Sequence, residues 1–283
     1  MRDGRLPPRL DRNARLLGLE AVDRLQAAHV VVLGLGGVGS FTAEALARAG
    51  VGRLTLVDGE RVDETNANRQ LHALDGEFGR FKAEVLAERL RRAAPAARIE
   101  AECRAYGPGT AAEIIGPGAS FVVDAMDTVV AKLHAIARCL DLGVPVVTVL
   151  GAACRLDPTA VEVTDLCESH TDQLAKDVRK YLRRRHGISA TAPLGVLAVW
   201  STEPPRPSLA LPGDEGGVPG ARAPVAGRRA PKGFGSVAFV TGAFGLAAAA
   251  AVVQSVTGLR PLGTRTLSEE ERSRRRKRPA KHP

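Results

Sequence analysis

Apolar and polar positions fall in blocks along the first half of the chain, and the blocks predict strands and helices in alternation. Val30 to Leu33 is an apolar run that enters the turn Gly34-x-Gly36-Gly37-x-Gly39, and Ser40 to Ala49 then reads as a helix. A second apolar run, Leu54 to Val57, ends on Asp58. From Gly79 to Ala94, Phe81, Val85, Leu86 and Leu90 share one helical face with charges opposite, and Pro95 ends the helix. Ile99 to Tyr106 reads as a third strand, Ala111 to Ile115 as a short helix, and Ser120 to Val123 as a fourth strand with Asp124 and Asp127 at its carboxyl end. Thr128 caps a helix that runs to Leu142 and stops at Gly143, and VPVVTV is a fifth strand. Strands alternating with helices of this length predict an α/β fold built on a parallel, doubly wound, Rossmann-like sheet.

The second half changes character. Leu150 to Pro158 reads as a crossover turn, AVEVTDL as a strand, Asp172 to Arg185 as a helix and Val196 to Ser201 as a strand. The helix ends in Arg179, Lys180, Arg183, Arg184 and Arg185, which either form a solvated face favoured by the helix dipole or meet a nucleic acid. Residues 203–233 are rich in Pro, Gly and Arg and predict a mobile insert. Phe234 to Gly258 is apolar enough for a membrane span, but Gly235, Gly242 and Gly245 interrupt it. That spacing favours a buried helix packed on another subunit, with membrane association not expected. The layout is an N-terminal arm and helix over 1–28, one domain over 29–264, and a disordered basic tail over 265–283.

Strand, glycine turn, helix, strand and acid, in that order, are the context of a nucleotide fingerprint. Gly34 permits the tight turn, Gly36 lets backbone approach a phosphate, Gly37 lies between them, and Gly39 lets the helix pack on the strand. The helix N-terminus then faces the anion, and Asp58 sits where an acid accepts ribose hydroxyls. Downstream come Asn66, Asn68, Arg69 and Gln70 in TNANRQ, then Lys82, then Asp127 in DAMD. Two cations and a carboxylate able to hold Mg²⁺ suit a triphosphate being cleaved better than a dinucleotide being bound, so the expected nucleotide is ATP. Each residue alone could be a solvated charge; the ordered set argues against accident.

GLGGVGS, Asp58, TNANRQ, Lys82 and DAMD, at these spacings, resemble the adenylating ThiF/MoeB/HesA family, related to ubiquitin-activating enzymes. ARLLG, NRQLHAL, LDPTAVEVTDL, LGVLAVWSTE and GFGSVAFVTGAFG resemble most closely its tRNA threonylcarbamoyladenosine dehydratase branch, over about Arg9 to Gly258. The resemblance implies a Rossmann-like sheet with a ThiF/MoeB-type C-terminal extension, and ATP-dependent activation of the threonyl carboxylate as an acyl-adenylate. It also implies Arg69, Lys82 and Asp127 as catalytic residues, the last holding Mg²⁺, and Asn66 and Gln70 on the phosphates. Arg15, or Arg12 in its place, would reach the nucleotide of the partner subunit in a homodimer. The substrate would be tRNA carrying threonylcarbamoyladenosine, with a sulfur-transfer protein as an optional partner.

Composition narrows the alternatives. The 283 residues are 45% hydrophobic, enough for a sizeable core, and the net charge of +9 suits an anionic partner. The opening MRDGRLPPRLDR lacks the apolar stretch of a secretory signal, so a cytoplasmic protein is expected. Cys103, Cys139, Cys154 and Cys167 stand singly, without the CxxC pairs of a structural zinc site. The alternative of a ubiquitin-like or sulfur-carrier protein adenylase commonly has such pairs and a cysteine near the Val196 strand, and neither occurs here. An NAD-dependent oxidoreductase is favoured only by the glycine turn and Asp58. Lys82 and Asp127 argue against a non-catalytic scaffold.

Overall fold

The computed structural model describes residues 6–209 and 234–259; most of the expected 203–233 insert and all of the 265–283 tail lie outside the described residues. Seven strands form one sheet: β1 (His29–Leu33), β2 (Arg53–Val57), β3 (Arg98–Glu102), β4 (Phe121–Asp124), β5 (Val146–Val149), β6 (Val161–Asp165) and β7 (Leu197–Ser201). Their order is β3-β2-β1-β4-β5-β7-β6. All pair in parallel except β6, which runs antiparallel to β7 at the sheet edge, so the wholly parallel sheet expected from the sequence becomes a mixed one. The chain builds outwards from β1 to β3 on one side, then returns to β4 on the other. That reversal opens a crevice at the carboxyl ends of β1 and β4, where open α/β sheets bind ligands.

Both faces of the sheet are covered, which is why the central strands read as continuous apolar runs rather than alternating ones. Val30 and Val32 join one core with α2 (Leu19–Ala27), α3 (Gly39–Ala49), α4 (Lys82–Ala93) and α8 (Ala238–Thr257). Val31 and Leu33 join the other with α5 (Ala111–Ile114), α6 (Val129–Leu142) and α7 (Gln173–His186). α1 (Asp11–Leu17) precedes α2 and has no buried residue.

Two boundaries differ from the sequence reading. α4 starts at Lys82 rather than Gly79, because Phe81 bridges Arg61 and keeps the approach extended. β3 stops at Glu102, where its register with Val57 of β2 runs out. Within the chain, the Gly/Ala-rich helix α8 turns Gly242 and Gly245 onto α3. A Cβ on Gly245 would lie 2.5 Å from Val38 O and 2.8 Å from Phe41 Cβ, and one on Gly242 would meet the Phe41 ring at 3.3 Å. Val240, Phe244 and Val252 of α8 are wholly buried, each worth about 1.5–3 kcal/mol. α8 has the length and composition to cross a membrane, yet half of it is buried inside the protein.

Candidate functional site

The glycine turn joins β1 to α3 and forms one wall of a cleft of about 1480 Å³ at the switch point. Gly34 has φ +82°, and a Cβ there would lie 2.9 Å from Ala125 O in the loop after β4. Gly39 is constrained further, since its Cβ would stand 1.9 Å from Gly34 O. Gly36 has nothing closer than Gln70 Nε2 at 3.9 Å, which leaves its backbone open to the cleft. Gly37 is backed by Arg69 Cγ and Thr241 Oγ1, both at 3.1 Å from where a Cβ would be.

Asp58 ends β2 and is pinned by the backbone. One oxygen accepts Leu35 N–H at 2.8 Å and the other accepts Glu60 N–H at 2.8 Å. Burial raises its pKa above the ordinary carboxylate value, opposed by those two hydrogen bonds and by the nearby Lys82 charge. A carboxylate has about four lone-pair sites, so capacity remains for ribose hydroxyls.

The TNANRQ segment forms a short turn that the sequence encodes with its own cap. Asp63 accepts Thr65 N–H at 2.9 Å, while Asn66 Oδ1 accepts Asp63 N–H at 3.2 Å. Asn66 is therefore partly spent on holding the turn, although it lines the cleft. Arg69 donates to Thr65 O and to Asn68 Oδ1, both at 2.9 Å, and also lines the cleft. Gln70 is buried on the same wall, and its Oε1 has no partner among the described residues. Lys82, the first residue of α4, is buried with its ammonium paired to exposed Glu60.

The two acids of DAMD part company. Asp124 is sealed in the core, where Oδ2 accepts Lys132 Nζ at 2.8 Å and Thr148 Oγ1 at 2.7 Å. Lys132 Nζ also donates to Val149 O at 2.9 Å, so this knot ties β4, α6 and β5 together beneath the cleft. Asp127 is exposed and lines the cleft. Among the described residues no three His, Cys, Asp or Glu side chains gather as a metal cage. A single carboxylate fits Mg²⁺, which is ordinarily held by one or two carboxylates together with substrate phosphates.

One expected residue is not brought to the site of its own chain. Arg15 lies on α1, exposed and paired to Asp11 at 2.8 Å, and is absent from the cleft wall. Conversely, the sequence reading passed over Lys132, Thr241, the buried Arg155–Asp172 pair and the segment Pro205–Ser208, the last three of which line the cleft. No local spacing signals them, since each acts across distant parts of the chain. The thiols offer no activated nucleophile in two of four cases: burial pushes Cys139 up to about 12 and raises Cys103 as well.

Comparison with known proteins fits this geometry. The chain is 40% identical over 240 residues to the tRNA threonylcarbamoyladenosine dehydratase of Escherichia coli, covering 83% of this chain and 88% of that protein. It is 41% identical over 194 residues to the dehydratase of the same name from Bacillus subtilis, covering 69% and 74%. The crystal structure of the E. coli enzyme, TcdA, in complex with ATP superimposes with a TM-score of 0.77 at 37% identity, over 88% of this chain and 94% of that one. The ThiF family pattern matches residues 10–282, and the chain belongs to the ThiF family.

Proposed function

We propose that this protein uses Mg·ATP to dehydrate threonylcarbamoyladenosine in the anticodon loop of tRNA. The reading rests above all on one cleft that gathers the glycine turn, Arg69, Lys82 and Asp127 in a chain so similar to dehydratases of that name. The threonyl carboxylate attacks the α-phosphate of ATP, the bond to the β-phosphate breaks, and pyrophosphate leaves. A group within the same threonylcarbamoyl moiety then attacks the acyl carbon, AMP departs, and one proton is released, so the nucleoside loses one water in total. Ring closure from within the substrate needs no enzyme nucleophile, because proximity supplies much of the rate.

The residues divide this work. The open backbone at Gly36 and the start of α3 cradle phosphate, and Asp58 orients the ribose. Asn66 and Gln70 position the phosphates. Lys82 exchanges Glu60 for phosphate oxygen, and with Arg69 it neutralises the charge that develops as pyrophosphate leaves. Asp127 would hold Mg²⁺, which would add to that neutralisation. The basic end of α7, with Arg183, Arg184 and Arg185 exposed, offers a surface for the tRNA backbone.

The protein works as a homodimer in this reading, with Arg15 completing the partner's site. Leu16 and Leu19 beside Arg15, and Phe239 and Leu246 on α8, are large apolar side chains left exposed by the single chain. Light scattering that gave a monomer at micromolar concentration would count against both the dimer and the role of Arg15. The activity itself is tested by mass spectrometry of nucleosides from tRNA incubated with protein and Mg·ATP. A product one water lighter is expected, and its absence under conditions where ATP binds would refute the substrate assignment.

A further inference from the structure

The cleft has more wall than a nucleotide requires. Its volume of about 1480 Å³ exceeds the ~300–1,000 Å³ of ordinary small-molecule sites. The glycine turn, Asp58, Arg69 and Lys82 account for one side. The other is made by the loop after β5, residues 151–155, by the start of α7, residues 172–174, and by Pro205–Ser208.

A buried ion pair organises that second side. Arg155 Nη2 lies 3.0 Å from Asp172 Oδ2, and each side chain is only 2% exposed. Arg155 Nε donates to Gly151 O at 2.8 Å, and Gly151 N–H donates to the same Asp172 oxygen at 3.0 Å. The other Asp172 oxygen accepts Ala175 N–H at 2.8 Å and so caps α7. This ring of bonds locks the loop after β5 onto the helix start. Gly151 has no space for a side chain, since its Cβ would lie 2.8 Å from Asp172 Oδ2.

The pair is poorly explained by stability. Desolvation largely offsets the attraction in a buried ion pair, and Arg155 Nη1 is buried here with no partner among the described residues. Its backbone setting points elsewhere. Cys154 at φ 61° and Thr171 at φ 56° are the two non-glycine residues with positive φ among the described residues, and each immediately precedes one member of the pair. Such backbone is unfavourable for any side chain and most of all for a β-branched one, and it persists where the surroundings enforce it, commonly at binding sites. Between Gly151 and Cys154, Ala152 and Ala153 line the cleft, and their N–H groups make no hydrogen bond among the described residues. Because Asp172 balances the Arg155 charge, the wall offers donors without a net positive charge.

We propose that Ala152 and Ala153 form the subsite for the acyl group of the substrate, taking an oxygen of the threonylcarbamoyl moiety on main-chain N–H donors. Arg155 is the positioning residue of this subsite, acting through Gly151 and Asp172. The inference rests on the function proposed above. Ala152 packs its methyl group against the core, the short side chain of Ala153 leaves room for the acyl group, and the pair holds their N–H groups in place.

The test uses the full chain, saturating Mg·ATP and tRNA bearing threonylcarbamoyladenosine, with ATP affinity and thermal midpoint measured alongside. Ala153→Leu should raise KM for the tRNA at least tenfold while ATP affinity stays within twofold of the parent. Arg155→Met should lower kcat/KM at least tenfold with ATP affinity retained, and Arg155→Lys, which keeps a cation for Asp172, should recover part of the loss. If Arg155→Met fails to fold, Ala153→Leu still decides, because it touches neither member of the pair. An unchanged KM in Ala153→Leu, or a loss of ATP affinity in step with conversion, would overturn the subsite. A parent protein that binds ATP but converts no tRNA would instead remove the function on which it rests.

Discussion

Gly36 and Gly39 share one turn, yet a single methyl group at each should do damage of different kinds. At Gly39 the new Cβ would stand 1.9 Å from Gly34 O, with Ala125 Cβ at 3.5 Å behind it. Relief requires the start of α3 to move by about an ångström, against a helix already seated on α8. Overpacking of this sort costs about 1–3 kcal/mol. In a domain of this size each kcal/mol lowers Tm by about 2–4 °C, so Gly39→Ala should melt roughly 2–12 °C below the parent. At Gly36 the nearest atom is 3.9 Å away, so Gly36→Ala should leave Tm unchanged. Its methyl group enters the space through which phosphate reaches the backbone. Losing one hydrogen bond to a charged group costs about 1.5–3 kcal/mol, which is roughly a 10- to 100-fold weaker Kd for ATP. Differential scanning calorimetry and isothermal titration with ATP read the two effects separately. Gly36→Ala binding ATP as tightly as the parent would remove the phosphate from this turn.

Asp127→Ala should abolish conversion of the tRNA nucleoside without changing Tm, because the carboxylate is exposed and, among the described residues, makes only one long hydrogen bond, from Thr128 at 3.4 Å; Lys82→Ala should slow the same step, as single-turnover assays will read. His72 is buried, neither ring nitrogen has a partner among the described residues, and burial followed by the Lys82 and Arg89 charges lowers its pKa to about 4. The unfolded chain therefore binds the extra proton first as pH falls below about 6.5, so His72 costs stability progressively down to pH 4, on the order of 2 kcal/mol by pH 5. Urea unfolding at pH 7 and pH 5 should show a smaller difference in His72→Leu than in the parent, and an equal difference would refute the assignment. Replacing Arg183, Arg184 and Arg185 with Ala should flatten the salt dependence of tRNA binding by about one unit of log–log slope per lost phosphate contact, leaving ATP affinity unchanged.

Much of the nucleotide side was legible because its information is local. Gly34 to Gly39, Asp58 and the self-capped Asp63–Asn66 turn each encode their geometry within a few residues. Of the two acids in DAMD the sequence reading chose Asp127 for the metal, and the structure has Lys132 and Thr148 claiming Asp124 while Asp127 lines the cleft. What the sequence did not disclose depends on partners far along the chain. β7 inserts between β5 and β6, and the antiparallel direction of β6 follows from that pairing rather than from any residue in AVEVTDL. Arg155 looks like an ordinary loop cation until Asp172 lies against it. The glycines of α8 carry the spacing of a close-packed helix without naming the surface they pack on, and that surface turned out to be α3.

The contact between Gly37 and Thr241 joins the first functional turn of the chain to its last described helix, and Gly245 presses on Val38 O beside it. A ribosome has therefore delivered every residue of the glycine turn, Asp58, Lys82 and Asp127 long before it delivers the helix that backs them. Until α8 arrives, the side of α3 that will receive it faces water, and the turn lacks its rear wall. Contacts of such long sequence separation are slow to form, so nucleotide binding should appear only after α8 has been made. ATP then acts as a seal on the assembled fold, since a ligand that recognises only the state with α8 seated draws that helix into place.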